Sequence, residues 1–170
     1  MQERQHLALA FGSWLLPLAG PIARLERAIA EARRDRDKKL TDGQISSAPG
    51  LRALRVPFGS VARLEQIRSG LGPNPLAALL RTAARPIPLG PLGPDESWVL
   101  VERAADGGMG LGDCTEALGR LIEAAQTPRS RAELLTIALQ LGADPGEEAE
   151  IVDGLLAEGL LVCGGDGAAS

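Results

Sequence analysis

The stretch "RPIPLGPLGPDE", Arg85 to Glu96, carries four prolines and two glycines in 12 residues. Proline fixes φ and removes the N–H that a helix needs, so no helix crosses it. Extended, polyproline-like backbone is its natural state. A stiff connector is the plain reading, and a proline ligand for another domain the sharper one. The charge changes sign at the same place. Residues 1–86 hold 14 Lys+Arg and 7 Asp+Glu, and residues 87–170 hold 4 and 15. Two units with different surfaces follow from that asymmetry. The boundary is therefore expected at residues 87–96.

Aromatic residues are scarce. Phe11, Trp14, Phe58 and Trp98 are all there are, so the core must come from Leu, Ala, Val and Ile. A stacking platform for single-stranded nucleic acid lacks its material. Cys114 and Cys163 show no metal or redox spacing, and His6 is the single histidine. That inventory excludes His-rich metal sites and most Ser-His or Cys-His chemistry. Two buried thiols of a cytoplasmic protein are expected, although pairing between them stays open. The apolar run Leu7 to Ala19 is too short to span a bilayer. Glu3 and Pro17 fit a buried helix better than an export signal.

The first half reads as helices. Gln2 to Leu16 is expected to form one, and Ile22 to Leu40 a second. In the second, Ile22, Leu25, Ile29 and Ala32 repeat on one face. "TDGQISSAPG", Thr41 to Gly50, reads as a linker. Val61 to Ser69, with Ser60 as its cap, and Leu76 to Ala84 are further helices.

After the connector, "WVLV" (Trp98 to Val101) reads as a strand. Asp-Gly within "ADGG" signals a hairpin turn, and Met109 to Leu111 returns as a weak second strand. Asp113 or Thr115 caps a helix running through Ala125. Ser130 and Glu133 form a capping box for the next, which Gly142 closes. Asp144 and Pro145 open a third, lined by Ile151, Leu155 and Leu156. "LLVC", Leu160 to Cys163, is a last strand, expected to pair with the hairpin and close a three-stranded sheet. The fold class expected is mostly α, formally α+β: helices over 1–86, then a small winged-helix-like domain over 97–163. The tail, 164–170, is expected to be disordered.

No catalytic or nucleotide signature occurs. "GGMGLG", Gly107 to Gly112, lacks a following Lys and is flanked by Asp106 and Asp113, which repel phosphate. Glu147 and Glu148 sit at a helix start, where the dipole favours them without any catalytic role. The chain is expected to be no enzyme, with no cofactor, no catalytic residue and no metal ligand. A winged helix most often binds DNA, and a DNA-binding transcriptional regulator is the alternative expectation. The third helix, however, holds four Glu, one Asp and no base within "GEEAEIVDGLLAEG". An extended peptide on an open sheet edge suits it better.

The stretches "SWVLVERAADGGMGLGDCTEALGRLIEA" and "RAELLTIALQLGADPGEEAEIVDGLLAEGLLV" resemble recognition modules of the pyrroloquinoline-quinone biosynthesis protein D type. With the helical half in front, the plan is similar to the partner proteins of multinuclear non-heme iron oxidases, the methanobactin-biosynthesis partner among them. The resemblance implies a cytoplasmic, non-catalytic subunit that binds the leader of a ribosomally made precursor peptide. It implies a heterodimer with the iron oxidase, docked through residues 1–86, and no membrane or nucleic acid. It places the peptide on Trp98, Val99, Leu100, Val101 and Glu102 along a sheet edge, with Ile151 and Leu155 on the facing helix. Such modules often run three strands and then three helices, whereas here one strand is expected to follow the helices.

Overall fold

The computed structural model describes residues 20–35, 39–71, 92–104 and 107–165. The expected helices over Gln2–Leu16 and Leu76–Ala84 lie outside these residues, as do most of the connector and residues 166–170. The described residues form five helices and two three-stranded antiparallel sheets, a mixed α+β fold. The chain divides into two compact units, Met1–Glu26 with Val56–Glu96, and Arg27–Arg55 with Ser97–Ser170.

Helix α1 covers residues 20–34. Pro21 is tolerated in its first turn, where no helical partner awaits its missing N–H. Leu25, Ile29 and Ala32 are buried, on the face that their spacing assigns. The helix stops well short of Leu40. Just beyond its end, Asp35 Oδ2 accepts from Arg52 Nη1 at 2.8 Å and from the Gly50 N–H at 3.2 Å. One carboxylate thus ties the helix exit to the turn that follows β1.

The expectation of helices and linker throughout residues 1–86 is corrected over residues 44–57. Strands β1 (Gln44–Ser47) and β2 (Arg52–Pro57) lie there. Ser46 and Ser47 are fully buried, and Ile45 enters the main core. Serine favours turns because its hydroxyl competes for backbone groups. Here the same small side chains fit a strand with neighbours on both sides. Helix α2 (Ser60–Leu71) follows, with Leu64 buried. Ser60 is its first residue, and its hydroxyl donates to the Pro57 carbonyl at 2.6 Å. In the same unit the Phe58 N–H donates to the Asp95 carbonyl at 2.7 Å.

The hairpin is longer than its sequence signal. Strand β3 is Glu96–Arg103 and β4 is Met109–Cys114, paired antiparallel from Trp98 opposite Cys114 to Arg103 opposite Met109. Gly107 turns the chain at φ 81°, a conformation that side chains disfavour. Helix α3 (Glu116–Ala125) starts at Thr115, whose hydroxyl accepts the Leu118 N–H at 3.3 Å. After the short β5 (Arg129–Ser130), helix α4 (Arg131–Gln140) carries the full Ser130–Glu133 capping box. Helix α5 (Glu147–Ala157) begins later than Asp144 and Pro145 suggest. Gly146 stands before it at φ 105°, and the Glu148 carboxylate accepts its N–H at 2.6 Å.

Strand β6 (Leu161–Cys163) does not pair with the hairpin. The sheets run β5-β1-β6 and β2-β3-β4. β2 takes the free side of β3, and β6 pairs with β1 instead. Ile45 lies opposite Cys163 and Ser47 opposite Leu161. Beyond β6, Gly164 exchanges backbone hydrogen bonds with residues 43 and 44, so the expected loose tail is still held at that point.

The main core gathers around the three later helices. Leu121 and Ile122 of α3, Leu134 of α4, and Val152 and Leu155 of α5 meet Ile45, Trp98 and Leu161. Full burial of each such aliphatic side chain stabilises the fold by about 1.5–3 kcal/mol. Arg131 and Asp153 clamp α4 to α5 through a two-pronged ion pair.

Candidate functional site

Every residue expected on the peptide-binding edge belongs to β3. The structure places β3 in the middle of its sheet, between β2 and β4. Its backbone groups are therefore engaged on both sides. Its two faces are covered as well. Trp98 and Leu100 point into the main core, and Val99 and Val101, both 0% exposed, point the opposite way. The expectation that Trp98, Val99, Leu100 and Val101 line an open edge is overturned. A strand paired on both sides has no backbone group left for a further strand. Glu102 alone of the five is exposed.

The helix residues separate in the same manner. Leu155 is buried in the main core alongside Trp98. Ile151, one turn earlier, is 40% exposed. The two share α5 but not one surface.

The edges of this sheet are β2 and β4, and they differ in kind. The Phe58 N–H to Asp95 bond fixes the alternation along β2. Counted back from it, Ala53, Arg55 and Pro57 turn their backbone groups outward. Pro57 has no N–H to offer, and the Ala53 carbonyl is covered by Gln126 Nε2 at 3.4 Å. Arg52 and Arg55 add charge. Proline, charge and side-chain covers are the devices that close an edge to further pairing.

Among the described residues β4 carries no proline and no side-chain cover, and its one charge is Asp113. The Ala104 N–H donates to the Gly108 carbonyl at 3.0 Å, which marks a closely bonded pair at the hairpin end. From there Gly110, Gly112 and Cys114 bond inward to β3, and Met109, Leu111 and Asp113 face outward. Among the described residues no strand pairs with that outer side. It presents a row of N–H and C=O groups over six residues. These residues escaped the sequence reading because β2 was not recognised, which left β3 to be taken for the edge. The signal was present in the alternating glycines of "GMGLGD".

On the face of Trp98 and Leu100 the β4 side chains are small, and on the other face they are Met109, Leu111 and Asp113. Gly110 and Gly112 lie on the face of Trp98 and Leu100, opposite Glu102 and Leu100 respectively. A Cβ on Gly110 would meet Glu102 Cγ and Oε1 at 2.9 Å, so the Glu102 side chain arches across the glycine toward the rim. A Cβ on Gly112 would meet nothing within 4 Å. Leu100 beside it stays half-buried. Asp113 is exposed on the other face. Both cysteines are free, and Cys163, expected to be buried, is exposed at the end of β6. Burial, and then Asp113, hold the Cys114 thiol above its usual range, which keeps it protonated and a poor nucleophile.

Among the described residues no group of three His, Cys, Asp or Glu side chains is placed to hold a metal ion. No described helix is long and apolar enough to cross a membrane. Comparison with protein-family models and with curated proteins finds no match.

Proposed function

We propose that the chain is a non-catalytic peptide-recognition subunit, cytoplasmic, that takes the leader of a ribosomally synthesised precursor peptide as an extra strand. It presents that peptide to a multinuclear non-heme iron oxidase in a heterodimer. One observation carries the reading: of the two edges of the β2-β3-β4 sheet, one is closed, and no strand among the described residues pairs with the other. An added strand gains its affinity from backbone hydrogen bonds, which the outward groups of Met109, Leu111 and Asp113 can supply. Peptide contact therefore moves one strand over, from β3 to β4.

The element order supports the same reading. The three strands of the β2-β3-β4 sheet all precede α3, α4 and α5, as the resemblance implies, although β1 also precedes them and α2 separates β2 from β3. The second sheet suits a winged-helix plan, with β1 standing between β5 and β6. The regulator alternative gains nothing here. Helix α5 carries Glu147, Glu148, Glu150 and Asp153 and neither Lys nor Arg, so it repels phosphate.

The test is titration of the full chain with precursor peptides encoded beside it, followed by amide hydrogen exchange. Micromolar binding with new protection at Leu111 and Asp113 is the expected result, together with copurification of the oxidase encoded beside it. Absence of binding, or protection confined to other strands, refutes the proposal.

A further inference from the structure

We infer that the β4 edge selects a peptide bearing a large apolar residue and, two positions away on the same face, a lysine or arginine. The inference rests on the peptide-recognition reading above and adds a substrate class to it.

In an added strand, residues two apart point to one face and lie beside alternate residues of β4. On the face shared with Leu100, those β4 residues are Gly110 and Gly112. A strand position without a side chain normally weakens a sheet. Here the two glycines let side chains reach across β4 in both directions. From inside, Glu102 already does so, lying over Gly110. Its carboxylate is thereby delivered to the rim, where the neighbouring strand would run. From outside, the space above Gly112 is open, and half-buried Leu100 lies beyond it. A long apolar side chain laid over Gly112 would bury itself and Leu100 together. A cationic side chain over Gly110 would meet Glu102. The opposite face carries Asp113 at the rim and the exposed Arg103 opposite Met109, so the discrimination against acidic residues is assigned to the face of Glu102.

The probe is a set of fluorescein-labelled nine-residue peptides, Thr-Val-Thr-Xaa-Thr-Zaa-Thr-Val-Thr. Xaa is Ala, Leu or Phe, and Zaa is Lys, Ser or Glu. Binding to the full chain is read by fluorescence anisotropy, with both Xaa/Zaa orders synthesised. Lys should exceed Ser at Zaa by about threefold, the size of an exposed ion pair. Leu should exceed Ala at Xaa by about tenfold, from partial burial of its extra methyl groups. Glu102→Lys should reverse the Lys-over-Glu preference, and Gly112→Val should erase the Leu-over-Ala preference. Circular dichroism checks that both variants keep the fold. If peptides bind but ranking ignores Zaa charge, or survives Glu102→Lys unchanged, the inference falls and the binding edge stands. If no peptide of the set binds while the natural precursor does, the inference falls again. If neither binds, the recognition reading falls with it.

Discussion

Gly119 and Gly154 both sit inside helices, and they should respond to alanine with opposite signs. Gly119, in α3, is buried, and a Cβ there would lie 2.4 Å from Trp98 Cε3 and 2.5 Å from Cδ2. Gly154, in α5, has nothing within 4 Å of the same position. Replacing a helical glycine with alanine stabilises by about 1 kcal/mol through backbone entropy alone. Gly154→Ala should show that gain in full. At Gly119 the gain is opposed by overpacking, which costs about 1–3 kcal/mol. The cost belongs at the upper end, because the indole cannot retreat. Trp98 is on a strand paired on both sides, and the residue is 8% exposed within the main core. Gly119→Ala is therefore expected to destabilise by about 2 kcal/mol net. Urea titrations of the wild type and both variants, followed by far-UV circular dichroism, measure the difference. A stabilised Gly119→Ala would refute the claim that the indole requires a bare helix surface.

Three further outcomes are expected. A fragment of residues 97–165 lacks β1 and β2, and should give a poorly dispersed amide spectrum; a cooperatively folded fragment would contradict the sheet assignment. Asp35→Asn removes the charge that holds Arg52 and weakens the bond to the Gly50 N–H, both side chains being under a fifth exposed; a loss of about 1–3 kcal/mol should appear in the same urea assay. The Ser130 N–H and hydroxyl hold the Glu133 carboxyl below its ordinary range, and the Arg131 guanidinium does so for Asp153. Depressed folded values mean that this stability is present above the unfolded range and is lost as pH falls through the folded ones. Thermal melts should therefore weaken below about pH 4.5, and Glu133→Gln with Asp153→Asn should flatten that limb.

The parts of the fold that were legible in the sequence are local ones. Thr115 before α3, the Ser130–Glu133 pair before α4 and Gly107 in the hairpin each act within four residues. Their hydrogen bonds need no distant partner, so the residues announce them. Strands β1 and β2 announce nothing, because Ser46 and Ser47 have turn chemistry and Arg52 and Arg55 break the alternation of β2. Their strand state comes from neighbours far along the chain: β5 and β6 for one, β3 for the other. That single omission propagated into the candidate site. A strand cannot be known as an edge until its neighbours are counted, so Trp98 to Val101 were assigned to a rim that belongs to Met109 to Cys114. Glu102 kept a place in the site by the reach of its side chain across Gly110, which no periodicity reports. Ile151 and Leu155 looked equivalent on a helical repeat, and burial divided them.

The placement of β1 has a consequence for synthesis. Ile45 emerges from the ribosome early, yet its partner Cys163 lies close to the end of the described chain. Pairings so distant in sequence are slow, since a long loop must close before any contact rewards it. Helices α3 to α5 can begin to associate as they appear, while β1 waits with both sides bare. Until residues 161–163 emerge the chain therefore carries an incompletely paired strand of its own, and their emergence, not formation of the helices, sets the moment at which the second sheet can close.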